Sequence, residues 1–282
     1  MDEILKIVLD RNKKRKVLSK NDIRRICEII ISKSNFYVVP NISFGTESTN
    51  NKSFAADTGL DEVKFYMPVL EESLENSYEE INTTSIFDGT REDYYNYRIL
   101  EVIFHEFSHV RQNDKIIKGH SDIDTRLFYI CDKLRAIKGF YSENYSLFSL
   151  ETDAYARGFI NSYLIYSRFP KEYMPERDRT SYASMVMKTL ISPYIVSSSK
   201  ETIKSPSEIL LEKADNYNLS KRGIDIETYR GLVNGRNDLT LYKKLLLGLP
   251  LTYSEASYVN MLKSCVEVGE KVDFIKKLQK RL

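Results

Sequence analysis

The chain has 282 residues, a formal net charge of +2, 42% hydrophobic and 29% charged residues. That balance is the one of an ordinary soluble globular protein, and it excludes disordered, collagen-like and low-complexity classes. A charge so close to neutral supplies no electrostatic footprint for nucleic acid or a membrane surface, so neither is expected as a partner. The length admits one large domain or two modest ones. The three cysteines, Cys27, Cys131 and Cys265, lie far apart and form no C-x-x-C pair. Buried free thiols and a reducing compartment are expected. No signal peptide and no membrane span is read from the sequence, so a cytoplasmic location is expected; the longest apolar run, Leu245 to Leu251, is interrupted by Gly248 and Pro250.

Residues 2–10 read as a short amphipathic helix. The basic run from Arg11 to Lys16 reads as a solvated helix end or linker rather than a nucleic-acid arm. A second helix follows, capped by Asn21 or Asp22, with Ile23, Ile26, Cys27, Ile30 and Ile31 facing inward. Phe36 to Phe44 is aromatic and β-branched and reads as a strand, with Pro40 marking an edge or a bulge. After a polar loop, Val63 to Leu70 alternates and reads as a second strand, again an edge because of Pro68. Such an edge could pair with an extended peptide. Glu71 to Glu80 is an acidic helix or loop. Asp88 or Thr90 caps the next helix, near 91–113, whose first turn carries Glu92 and Asp93 where the helix dipole favours acids. Helices are further expected over 124–137 and near 146–169, and the pattern from Pro170 onward is almost entirely helical.

The helix near 91–113 holds His105-Glu106-Phe107-Ser108-His109, the H-E-x-x-H pattern of zinc-dependent hydrolases, and two of the three histidines of the chain. Residues i and i+4 stand on one helix face. Two imidazoles placed there can bind one Zn²⁺ at about 2.0–2.1 Å each. Glu106 is rotated by roughly 100° from His105. It flanks the metal and can take a proton from the attacking water as the general base.

A catalytic zinc normally takes three protein ligands and keeps one open position. The candidate for the third is Glu151, with Ala154 and Gly158 at i+3 and i+7 on the same face. Those small residues would let its helix approach the His105/His109 helix closely. Two rivals are His120, in the turn Gly119-His120-Ser121, and Asp153. On a helix Asp153 would point roughly 200° away from Glu151, so both cannot be ligands.

His-Glu-Phe-Ser-His followed by Glu151-Thr152-Asp153-Ala154 resembles the gluzincin arrangement of zinc metallopeptidases, over about residues 60–160. The resemblance implies His105, His109 and Glu151 as ligands of one zinc ion, Glu106 as general base, and a protein or peptide substrate. The metzincin form would need Gly at 112 and His at 115, where the chain has Gln112 and Lys115. The chain also departs from the E-x-x-x-D form, with Tyr155 in place of the Asp. The carboxylate that orients a ligand histidine is therefore sought in Asp153 or Glu101. Tyr155 is a candidate donor to the oxyanion, and His120 a candidate to assist the transition state.

The expected architecture is α+β and mostly helical. A small N-terminal antiparallel or mixed sheet, with its edge strand beside the H-E-x-x-H helix, belongs to a catalytic core over 1–169. A helical subdomain follows over 170–282. The rival functional reading is an inactive or regulatory zincin-like protein whose helical C-terminal part binds a protein partner.

Overall fold

A computed structural model describes residues 2–46, 55–83, 90–119, 129, 149–166, 168 and 169. Its elements are helices α1 (Asp2–Lys13) and α2 (Lys20–Ser32), strands β1 (Asn41–Gly45), β2 (Ala56–Thr58) and β3 (Glu62–Tyr66), and helices α3 (Met67–Thr83), α4 (Arg91–Ile117) and α5 (Ser149–Tyr166). The α+β, mostly helical class with a small mixed sheet is what the described residues adopt. The helix expected near 124–137, apart from Tyr129, and the helical subdomain expected over 170–282 lie outside the described residues. By its contacts the chain divides into two compact units, Met1–Asp114 with Arg157–Ala183 and Lys115–Ala156 with Ser184–Leu282. Helices α4 and α5 each run unbroken through a point of that division. No helix among the described residues is long and apolar enough to cross a membrane.

Local chemistry explains most element boundaries. Ser19, not Asn21 or Asp22, caps α2: its hydroxyl accepts from the Asp22 amide while the Asp22 carboxylate accepts from the Ser19 amide at 2.8 Å. Asp22 is thus the third helical residue of a capping box, which is the place where an acid serves the cap best. The inward face of α2 holds Ile23, Ile26, Cys27 and Ile30 as expected, with Ile29 buried as well and Ile31, also expected inward, only half-buried. The basic run is the C-terminal end of α1 and its connection to α2. Arg11 pairs with Asp22 at 2.9 Å and Lys14 with Asp10 at 2.8 Å, so two of its cations are engaged with acids of the same unit. Burial pushes the Cys27 thiol well above its usual value, so it is an inert core group.

The sheet differs from expectation in two places. The first strand begins at Asn41 rather than Phe36, so Pro40 stands just before it and removes no ladder donor. The second ends at Tyr66, and Met67–Leu70 belongs to α3. Pro68 falls in the first turn of that helix, where its missing N–H costs nothing, and its fixed φ suits the helix. The strand order is β1-β3-β2, with β1 parallel and β2 antiparallel to β3. The strand expected to be an edge is therefore the centre, paired on both sides, and among the described residues β1 and β2 are the edges. A tight turn, with the Gly59 amide donating to the Glu62 carbonyl at 2.8 Å, joins β2 to β3. Val63 and Phe65 point from the central strand into the core.

Helix α4 is the axis of the fold. At 27 residues it spans roughly 40 Å, and it runs one turn beyond the expected end. Thr90 caps it: the hydroxyl accepts from the Asp93 amide at 3.2 Å and donates to the Asp93 carboxylate at 2.8 Å. Tyr94, Tyr97, Leu100, Ile103 and Phe107 are buried along it. Asn96, fully buried, ties the helix to the α1–α2 connection. Its amide donates to Asn12 Oδ1 at 2.8 Å and its oxygen accepts from the Leu18 amide at 2.7 Å. The C-terminal end of α5 packs on the same helix, with the Tyr166 ring edge-on to Tyr97 at 5.1 Å and its hydroxyl donating to the Asp93 carbonyl at 3.0 Å.

Candidate metal centre

His105, Glu106 and His109 all lie on α4, and all three are buried, 6–8% exposed. The one-turn spacing does what helix geometry requires. The two imidazole rings sit 4.7 Å apart, nearly perpendicular, with their Nε2 atoms converging to 3.1 Å. The other ring nitrogen of His109, Nδ1, lies 2.8 Å from Gln112 Oε1. An amide oxygen can only accept, so Nδ1 carries the proton and Nε2 presents its lone pair. Gln112 therefore orients a candidate ligand, a part expected of Asp153 or Glu101. Its signal in the sequence is its place three residues after His109 on the same face, but an amide rather than a carboxylate fills the part.

The third residue arrives on α5. Gly158 lies where this helix crosses α4: a Cβ placed there would stand 2.8 Å from the Glu101 carbonyl oxygen and 3.4 Å from the His105 backbone and Cβ. Only a residue without a side chain permits that approach. Ala154, one turn earlier, is fully buried. Two turns earlier on the same continuous helix is Glu151, 1% exposed. One ligand-capable atom from each of His105, His109 and Glu151 falls within 4.8 Å of the others, so this buried group could hold a metal ion. The small residues at i+3 and i+7 of Glu151 play the part expected of them.

Gly158→Ala should therefore cost stability, although alanine is the better helix former. The contact at 2.8 Å is with backbone, which cannot swing aside, and overpacking of this kind costs about 1–3 kcal/mol. A lowered thermal midpoint by calorimetry is the expected result.

The other candidates fare differently. Asp153 is buried but is not a member of the group. Tyr155 is 39% exposed, on the outer side of α5. His120 lies outside the described residues. Glu101, one turn before His105, is buried and ion-paired with Arg98. Burial pushes its carboxyl up to about 7, against the opposing pull of Arg98 and the Tyr97 hydroxyl. A folded value above the unfolded one means the folded chain keeps a proton that the unfolded chain has lost. The folded state is thus favoured at low pH, and that advantage drains away between about pH 4.5 and 7, a change on the order of 3 kcal/mol at most. Glu101→Gln should flatten this loss, so urea unfolding of the metal-free protein at pH 5 and pH 8 should give closer midpoints in the variant than in the parent.

One residue of the site had no sequence signal. Thr58, at the end of β2, places its hydroxyl 2.5 Å from Glu106 Oε2 and 3.3 Å from the Glu106 carbonyl oxygen. It comes from the polar stretch read as a loop, 48 residues before its partner. No spacing rule reaches across such a distance.

No protein-family model, no curated protein and no solved structure matches this chain, so the reading of the site rests on its own residues and their geometry.

Proposed function

We propose that the chain is a zinc-dependent metallopeptidase of gluzincin type that hydrolyses peptide bonds with Glu106 as general base. The observation that carries the proposal is the convergence of His105, His109 and Glu151 on one buried point, with Glu106 beside them on the same helix. Two imidazoles and one carboxylate are a donor set that suits Zn²⁺ and leaves a fourth position open. The spacing of the imidazoles fits as well. Two nitrogens on one tetrahedral zinc, at about 2.05 Å each, stand about 3.3 Å apart, and the two Nε2 atoms are 3.1 Å apart.

His105, His109 and Glu151 would hold the ion, and Gln112 would keep His109 in the ligating tautomer. Zinc bound there would polarise the scissile carbonyl and lower the pKa of water towards about 7. Glu106 accepts the proton of the attacking water and passes it to the leaving amine. Its burial keeps bulk water from competing for that proton. The substrate-pairing edge expected at residues 63–70 is instead β2. That strand is an edge whose last residue touches Glu106, so its outer side is where an extended substrate main chain would pair.

The test is direct. The protein is loaded with zinc, its metal content is measured, and it is incubated with a broad peptide mixture whose products are read by mass spectrometry. One zinc per chain and cleavage that stops on chelation and returns with zinc support the proposal. Failure to retain zinc defeats it. Zinc retained without any cleavage defeats the peptidase reading and favours a regulatory zincin-like protein.

A further inference from the structure

We infer that Thr58 is a positioning residue for Glu106, holding one carboxylate oxygen so that the other is the one that exchanges the proton. The inference rests on the peptidase reading above and adds to it a residue from a different element. Three observations carry it. The Thr58 hydroxyl is 2.5 Å from Glu106 Oε2, the length of a charge-assisted O–H···O⁻ hydrogen bond. The same hydroxyl is 3.3 Å from the main-chain oxygen of Glu106, so strand and helix meet at one residue through both its side chain and its backbone. Thr58 is itself held firmly: it stands opposite the fully buried Val63 in the β2–β3 ladder, and the Gly59–Glu62 hydrogen bond closes the turn immediately after it.

The consequences follow from hydrogen-bond chemistry. A threonine hydroxyl carries one hydrogen and can accept through its lone pairs. With Glu106 ionised, that hydrogen goes to Oε2, which fixes the carboxylate rotamer and directs Oε1 to the reacting water. The water O–H bond breaks as its oxygen bonds to the scissile carbonyl carbon, and an Oε1–H bond forms. The C–N bond then breaks, the proton passes from Oε1 to the leaving amine nitrogen, and Oε2 stays bound to Thr58 throughout. A carboxylate held less firmly would be misplaced in part of its turnovers, and misplacement of about 1 Å can cost on the order of 10²-fold. Threonine suits the position on both counts, since its β-branch favours a strand and its hydroxyl reaches the helix. Tying the base to the edge strand also means that a peptide pairing on β2 and the base that acts on it share one rigid support.

Thr58→Val, which keeps the shape and removes the hydroxyl, and Thr58→Ser, which keeps the hydroxyl, form the test. In the zinc-loaded protein, Thr58→Val should lower kcat about 10- to 100-fold, with KM and zinc affinity unchanged. Thr58→Ser should recover kcat to within about threefold, because the bond to Oε2 can re-form. A second readout needs neither zinc nor turnover. In metal-free protein carrying ¹³C-labelled glutamate, the Glu106 carboxyl resonance, assigned by its disappearance in Glu106→Gln, should move at fixed pH in Thr58→Val and hold its place in Thr58→Ser. An unmoved resonance in Thr58→Val, with folding verified by circular dichroism, overturns the inference. So does a moved resonance with kcat retained. Absence of turnover in the unaltered protein sinks the peptidase reading and this role with it, whereas turnover that ignores Thr58→Val sinks only the role.

Discussion

Glu106→Gln is expected to lower kcat by about 10²–10⁴-fold, the usual worth of a positioned general base, while the protein still binds one zinc. The substitution isolates the proton transfer. The amide has the same shape as the carboxylate, and its oxygen can still accept from the Thr58 hydroxyl, so the packing around this buried position survives. What is lost is the ability to take a proton, since an amide is not a base at neutral pH. His105, His109 and Glu151 are untouched, so zinc content by elemental analysis should match that of the parent. A variant with full activity would remove Glu106 from the mechanism.

Glu151→Gln is expected to lower zinc affinity by more than about 10²-fold, beyond the 10–100-fold that loss of a residue merely supporting a ligand costs. The carboxylate is 1% exposed and is one of three groups that converge, so its loss leaves two of the three. The metal-free protein should not be destabilised in step, because the amide keeps the volume and removes a buried charge. Competition with a chromogenic chelator measures the affinity, and a urea titration of the metal-free protein gives the stability. Asp153→Asn is the control. Asp153 is also buried on α5 but stands outside the converging group, so its zinc affinity should be unchanged. Reversal of the two results would move the third ligand from Glu151 to Asp153.

Much of this site was legible because it is helical and local. His105 and His109 share a face by their spacing, and Glu106 is beside them by the same geometry. Glu151 could be picked out for a related reason: the i+3 and i+7 positions that must be small for two helices to touch are Ala154 and Gly158. Asp88 and Thr90 both offer a cap in the sequence; the structure has Thr90 in that place, with Asp93 three residues on as its partner. Where sequence and structure differ, two local rules compete. Pro68 fits an edge strand, but a proline satisfies the first turn of a helix equally well, and the strand ends at Tyr66. Asn21 and Asp22 both offer a cap because both side chains can accept. The pairing of Ser19 with an acid three residues later decides for Ser19, with Asp22 as its reciprocal partner.

By itself the sequence determined where the candidate groups stand: two imidazoles and a glutamate at helical spacing, and a second helix with an acid above small residues. These are properties of one helix at a time, set by 3.6 residues per turn. Only the tertiary structure decided which strand is the edge, that Gln112 rather than a carboxylate orients His109, and that Thr58 holds Glu106. Strand order depends on pairings between segments that any alternating run could make, and a hydrogen bond between residues 48 positions apart leaves no periodic trace in the chain.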